Sequence, residues 1–377
     1  MNKNRRDFIK ASALGGAALV AGGAAETAAL AAASQDRRTL EILVLGGTGF
    51  IGPHMVREAL RRGHSVTLFN RGRTNNALFP DLETIKGDRD AGLDGLKGRR
   101  WDAVVDNSGY VPRHVQDSVR LLSANTGFYL FISTIATYAS FTSANDEDSP
   151  LATLDDESVE EVTGETYGAL KVLCEKRARE EIDEDRLAIL RPTYICGPGD
   201  HTDRFSYWPV RVMKGGEMLW PGDASNSIQI IDVRDLANFT VDCVERRTAG
   251  IYNTVTPVGS YTMGHLLEDS QAVSDTTVEP VWVDEAFVER AQQDNSASRW
   301  GLFPIWHPSS GDNAAVSSVS GARARAAGLH NRPVRETIRD LLSWWRTLPG
   351  ERTGTMRAGM SADLEAELIA LWKKEDV

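Results

Sequence analysis

The sequence predicts an α/β chain built on a doubly wound parallel sheet, followed by a smaller C-terminal lobe. Three observations predict it. An apolar run, Leu40–Leu45, enters Gly46-Gly47-Thr48-Gly49-Phe50-Ile51-Gly52 directly, then a helical pattern, then a second apolar run, Ser65–Phe69. That succession is a β-α-β unit. Further short apolar runs at 82–85, 101–105, 128–132 and 187–190 each end in polar or turn-forming residues. Past residue 191 the pattern turns mixed and tryptophan-rich.

The elements follow in chain order. Asn4-Arg5-Arg6-Asp7-Phe8-Ile9-Lys10 is a basic start with paired arginines. A mildly apolar, Ala- and Gly-rich stretch and a small-residue cleavage site at Ala31-Ala32-Ala33 come next. Residues 1–33 resemble a twin-arginine export signal, with Arg5, Arg6, Phe8 and Ile9 carrying the match. The resemblance implies engagement with the twin-arginine export machinery and a periplasmic or extracytoplasmic destination. Glu26 interrupts the short span, so no stable membrane anchor is expected. Residues 38–190 read as the dinucleotide-binding domain, with 228–256 returning to it, and 191–377 as the substrate lobe.

In the glycine turn, Gly46 and Gly47 permit the tight reversal, Gly49 lets a pyrophosphate approach, and Gly52 brings helix against strand. Thr48, Phe50 and Ile51 complete the loop, and free helical N–H groups face the phosphates. Beyond the second strand stand Asn70, Arg71 and Arg73, where an acidic residue would accept from a ribose 2′-hydroxyl. Arginines suit a 2′-phosphate, which slightly favours NADP over NAD. The competing reading makes both solvated loop residues. Asp88, Asn107 and Ser108 sit just past strand ends, where they line a cofactor or simply form turns.

The formal charge of −11 does not favour a nucleic-acid surface, and no RNA or DNA partner is expected. Three scattered cysteines give neither zinc spacing nor a disulfide framework. The acidic stretch 145–157 lacks interleaved histidines and reads as a solvated loop. No metal is expected.

Ser133-Thr134 ends the fifth run, and Tyr167-Gly168-Ala169-Leu170-Lys171 opens a long helix. Tyr and Lys at i and i+4 share a helix face. An ammonium beside a phenol lowers the phenol pKa, and such a phenol can exchange a proton while hydride moves.

With Gly87-Asp88, Tyr138, Arg191-Pro192 and Gly197-Pro198, these motifs resemble an extended short-chain dehydrogenase/reductase of the NAD-dependent epimerase/dehydratase superfamily. The likeness runs from about Leu40 to Ala237. Phe69–Arg73, Asp106–Pro112 and Thr202–Trp208 are most similar to bacterial proteins of the isoflavone-reductase type. The resemblance implies Tyr167 as general acid/base, Lys171 on the nicotinamide ribose and tuning Tyr167, and Thr134 on the reacting oxygen. The cofactor would be NAD(P), the substrate a small molecule, the assembly a homodimer. In the lobe, His201 and Arg204 are candidates for an anionic or polyhydroxyl substrate, or else structural loop residues. Tryptophans 282, 300, 306, 344 and 345 are expected to pack.

Overall fold

The computed structural model describes residues 38–90, 92–295 and 300–375. The expected export signal, with Arg5 and Arg6, lies outside the described residues. All that follows belongs to the unit that starts at Glu41.

Eleven strands run in chain order: β1 (Glu41–Leu45), β2 (Ser65–Asn70), β3 (Thr84–Lys86), β4 (Ala103–Asp106), β5 (Tyr129–Ile132), β6 (Leu187–Pro192), β7 (Tyr194–Cys196), β8 (Gly216–Pro221), β9 (Ile230–Asp232), β10 (Gly250–Thr254) and β11 (Val278–Val283). Seven of them form one sheet in the order β10-β6-β5-β4-β1-β2-β3. Every neighbouring pair is parallel. Strands β1, β4, β5 and β6 are almost wholly buried, as continuous apolar runs covered on both faces should be. Strand order reverses beside β1, so a crevice opens at the C-terminal ends of β1 and β4.

Helices α1 (Gly52–Arg61), α2 (Pro112–Leu122), α3 (Tyr167–Glu181), α4 (Tyr207–Val212) and α5 (Val233–Arg246) follow. Helix α1 packs against α5, and α2 against α3. Val115 and Val119 of α2 and Cys174 and Ala178 of α3 share a core with Leu43, Leu45, Val104 and Phe131 of the sheet.

The run Ile228–Ile231 does not return to the large sheet. Its β9 pairs with β7 in a two-stranded ribbon, and β8 pairs with β11 in another. The lobe core is aromatic, with Trp208, Trp220, Trp306 and Trp345 buried together and Trp282 and Trp344 packed on its rim. The acidic stretch is also less solvated than its composition suggests. Glu147 is buried and accepts from the Asn253 N–H at 2.9 Å, tying the loop to β10.

Candidate active site

The glycine turn follows β1 without an intervening residue. Gly46 has φ +91°, a left-handed conformation that costs glycine nothing. A Cβ on Gly52 would overlap the Gly46 carbonyl oxygen, so α1 starts hard against the turn. At Gly49 an added Cβ would meet nothing within 4 Å. No side chain caps α1; Pro53 has no N–H and His54 already donates to the Ile51 carbonyl at 3.1 Å, so the Gly52 N–H is the first-turn donor left for another acceptor. Asn107 donates to the Gly46 carbonyl at 3.1 Å, while its own Oδ1 is buried with no hydrogen-bond partner. A buried acceptor without a donor, an open glycine and an uncapped helix fit a bound dinucleotide.

Thr48 donates to Asn70 Oδ1 at 3.1 Å, and Asn75 donates to the Thr48 carbonyl at 3.0 Å. These bonds pin the loop after β2 to the glycine turn. Arg73 lies 3.8 Å from Asp88 in a weak surface pair, and Arg71 and Arg73 are both exposed. Phe50 meets His54 and His201 edge-on at 6.5 and 6.1 Å.

Beneath the crevice lies an ion pair that motif reading overlooks. Arg89 donates to both oxygens of Asp106 at 2.7 and 2.6 Å, and Tyr129 adds a third bond at 2.9 Å. Burial opposes ionisation of Asp106, but Arg89 outweighs it and holds the carboxyl below its usual range. The sequence signal was an aspartate closing an otherwise apolar strand, with a basic residue inside the Asp88–Asp90 turn.

The catalytic corner joins β5 to α3. Thr134 caps a short turn by accepting from the Ala136 N–H at 3.2 Å. Gly168 lets α3 approach this turn, since a Cβ there would overlap the Ala136 carbonyl oxygen. This packing brings Tyr167, the first residue of α3, close to Thr134. Burial pushes that phenol up to about 12, and nearby Tyr110 adds to the shift. Hydrogen bonding from Thr134 and the charge of Arg204 pull the other way. The Tyr110 and Tyr167 rings are 6.4 Å apart.

Lys171 departs from expectation. Its ammonium donates to the carbonyls of Gly109 and Ile132 at 2.6 and 2.7 Å, 4.0 Å from the Phe131 ring centroid. The strand ends hold it, and burial, which dominates the rise of Tyr167, also draws Lys171 down to about 8. One of its three N–H donors is left for a ligand.

Behind this corner Arg191 forks onto Glu175 at 3.0 and 2.6 Å, and Glu175 also accepts from Ser133. The pair fixes the segment that carries Thr134.

Across the crevice the lobe places its two candidates differently. The His201 ring rests on Phe50, and its carbonyl accepts from Arg357 at 3.0 Å. The Arg204 guanidinium lies 4.9 Å from the Tyr194 ring and 5.0 Å from the Trp300 ring. Trp300 therefore stands on a cation and is absent from the lobe core. Tyr194 also shares a 2.8 Å hydrogen bond with His307. Among the described residues, no group of His, Cys, Asp or Glu is placed to hold a metal ion. Nor is any helix there long and apolar enough to cross a membrane.

The sequence model of the NAD dependent epimerase/dehydratase family matches residues 42–255, more than half of the chain. The chain belongs to that family. Among its relatives is the bovine epimerase family protein SDR39U1, 27% identical over 238 residues, covering 59% of this chain and 76% of the relative. The Arabidopsis chloroplast stem-loop binding protein of 41 kDa b is 24% identical, covering 56% of this chain and 58% of its own. The 2-alkyl-3-oxoalkanoate reductase of Stenotrophomonas maltophilia is 27% identical, covering 53% and 64%. Among solved structures, Bordetella bronchiseptica WbmG in complex with NAD and UDP shares the fold with a TM-score of 0.61 at 16% identity, covering 86% of this chain and 98% of its own. Human SDR39U1 with NADPH aligns with a TM-score of 0.54 at 20% identity, covering 80% and 99%.

Proposed function

We propose that this family member is an NAD(P)-dependent oxidoreductase acting at a carbinol or carbonyl carbon of a small polar substrate. The observation that carries the reading is Gly168 packed on the turn that Thr134 caps, which brings Tyr167 close to Thr134, together with the open Gly46–Gly52 turn. Bound NAD(P) would supply the ring that takes or gives hydride. Thr134 would hold the reacting oxygen, and Tyr167 would pass the proton. A phenol raised to about 12 is protonated at neutral pH, so it serves first as an acid, toward a carbonyl being reduced. Lys171 would offer its remaining N–H to the nicotinamide ribose. The glycine turn at the head of α1 would hold the pyrophosphate, and Asn107 Oδ1 would accept from a cofactor hydroxyl.

Export would sharpen the reaction type. The paired arginines at Arg5 and Arg6 support a route that carries folded proteins, with cofactor loaded before transit. Outside the cytoplasm the cofactor would have to be regenerated within each cycle, as in an epimerase or dehydratase. The second reading is a simple NADPH-dependent reductase. It draws on Arg71 and on the relative named a 2-alkyl-3-oxoalkanoate reductase. A third class, RNA binding, has a stem-loop binding relative in its favour and the net charge of −11 against it.

Mass spectrometry of the denatured supernatant of protein purified from the periplasm tests the first two together. Retained NAD(P) supports the self-regenerating enzyme. Cofactor-free protein active only with added NADPH supports the reductase. Residence in the cytoplasm removes the export argument.

A further inference from the structure

We propose that Arg204 is the anchor for a carboxylate carried by the substrate. Arginine charges that leave bulk water need a counter-charge. In this chain the rule is kept almost throughout. Arg62, Arg89, Arg191, Arg211, Arg234 and Arg352 are all shielded, and each meets a carboxylate. Among the described residues, Arg204 is the one partly buried arginine with no ion pair. Its Nε donates to Thr202 Oγ1 at 3.2 Å, and no bond takes up its terminal nitrogens. The Tyr194 and Trp300 rings stabilise the cation and hold it in place, but they supply no acceptor.

The position suits a substrate contact. The Arg204 charge reaches the Tyr167 phenol and lowers its pKa, so Arg204 belongs to the same crevice. The local charge points to a monoanion. His307, hydrogen-bonded to Tyr194, is drawn down to about 4 by burial and is neutral at pH 7. Asp200 is buried, with its charge disfavoured by desolvation and one oxygen without a partner. It lies within electrostatic reach of Arg204, joined to it through Thr202 Oγ1, but beyond ion-pair distance. One guanidinium fork therefore faces one anion, and a planar, singly charged carboxylate matches a fork bidentately. A phosphate dianion would leave charge uncompensated. The inference rests on the proposed function only in taking Tyr167 to mark the reacting carbon.

The test reads binding and not turnover, so it stands apart from the hydride chemistry. Protein saturated with NAD(P)H is titrated with 4-oxopentanoate, glucuronate and benzoate, with their methyl esters, and with inorganic phosphate, by ligand-observed NMR. At least one acid should bind well and its ester at least about tenfold more weakly. Arg204→Gln should weaken that acid by roughly ten- to hundredfold, the range for lost bonds to a charged group. Tyr167→Phe should leave it unchanged, even where turnover is lost. Arg204→Lys keeps the charge without the fork and should fall between. It also carries the comparison if the Gln variant does not fold. The proposal is overturned if no acid binds better than its ester, if Arg204→Gln binds acids like wild type, or if phosphate binds more tightly through Arg204 than every acid. A protein that retains no nicotinamide cofactor but binds an acid through Arg204 would sink the proposed chemistry and leave the anchor standing.

Discussion

Two arginines on the two sides of the crevice show how differently its walls are built. Arg89, under the sheet side, is buried, with its terminal nitrogens spent on Asp106, Ser118 and the His114 carbonyl and its Nε without a partner. Arg204, on the lobe side, is enclosed by rings and spent on one hydroxyl. A satisfied buried charge rigidifies what surrounds it, whereas a shielded charge without a counter-ion is available to a ligand. The sheet side is thus a fixed scaffold for a dinucleotide, and the lobe side is where a substrate would be chosen.

The largest effect expected from breaking that comparison is structural. Asp106→Ala would leave Arg89 buried and uncompensated, which should cost about 3–5 kcal/mol. Urea unfolding followed by tryptophan fluorescence would measure it. A loss below about 1 kcal/mol would mean that Arg89 finds water or another acceptor. Arg204→Gln should cost far less stability, because no partner is orphaned.

Next in size is Tyr167→Phe. Removing a general acid/base should lower the rate by on the order of a hundredfold or more, with cofactor affinity within a few-fold. The wild type, with its phenol raised to about 12, should reduce carbonyls at neutral pH and oxidise carbinols faster as pH climbs. Near-normal turnover of the Phe variant on any verified substrate would remove Tyr167 from the mechanism.

A finer test concerns cofactor choice. Arg73 pairs weakly with Asp88, and Arg71 is the exposed cation directly after Asn70. Arg71→Ala should weaken NADP by about 1.5–3 kcal/mol, with little change for NAD. Equal weakening of both in a calorimetric titration would reject the 2′-phosphate role.

The same contrast explains what could be read in the sequence. Strands β1, β4, β5 and β6 were legible because a strand buried on both faces must be a continuous apolar run, and each of these runs ends at a polar or turn-forming residue. The glycine turn was legible because Gly46 and Gly52 answer to local sterics that few other residues satisfy. The β7–β9 ribbon was not, since an apolar run does not say which strand it pairs with. Tyr167 and Lys171 were legible as a helical pair, but the Lys171 partners, Gly109 and Ile132, come from strand ends distant in sequence. The aromatic setting of Arg204 was hidden for the same reason: Tyr194, Thr202 and Trp300 meet only when the lobe folds.

The smallest expected effect tests whether Lys171 belongs to the scaffold or to the chemistry. Burial draws its ammonium from an ordinary 10.5 down to about 8. Between those values the unfolded chain still holds a proton that the folded chain has released. Stability therefore rises with pH across that window, because the unfolded state binds more protons. Below about pH 8 both states are protonated, and the cost of burying the charge is carried in full. Tyr167 acts oppositely, but only above pH 10, where the unfolded phenol begins to ionise and the folded one does not. From about pH 9 the buried thiols of Cys174, Cys196 and Cys243, raised by burial, also act oppositely, so the window from pH 8 to 10 is read as a difference between wild type and variant. Relative to Lys171→Met, the stability of the wild type should climb by about 1–2 kcal/mol from pH 8 to 10. In Lys171→Met that increment should vanish while the remaining pH dependence is kept. If both proteins change in parallel from pH 8 to 10, Lys171 keeps its proton in the fold, and the carbonyls of Gly109 and Ile132 solvate it better than its burial implies.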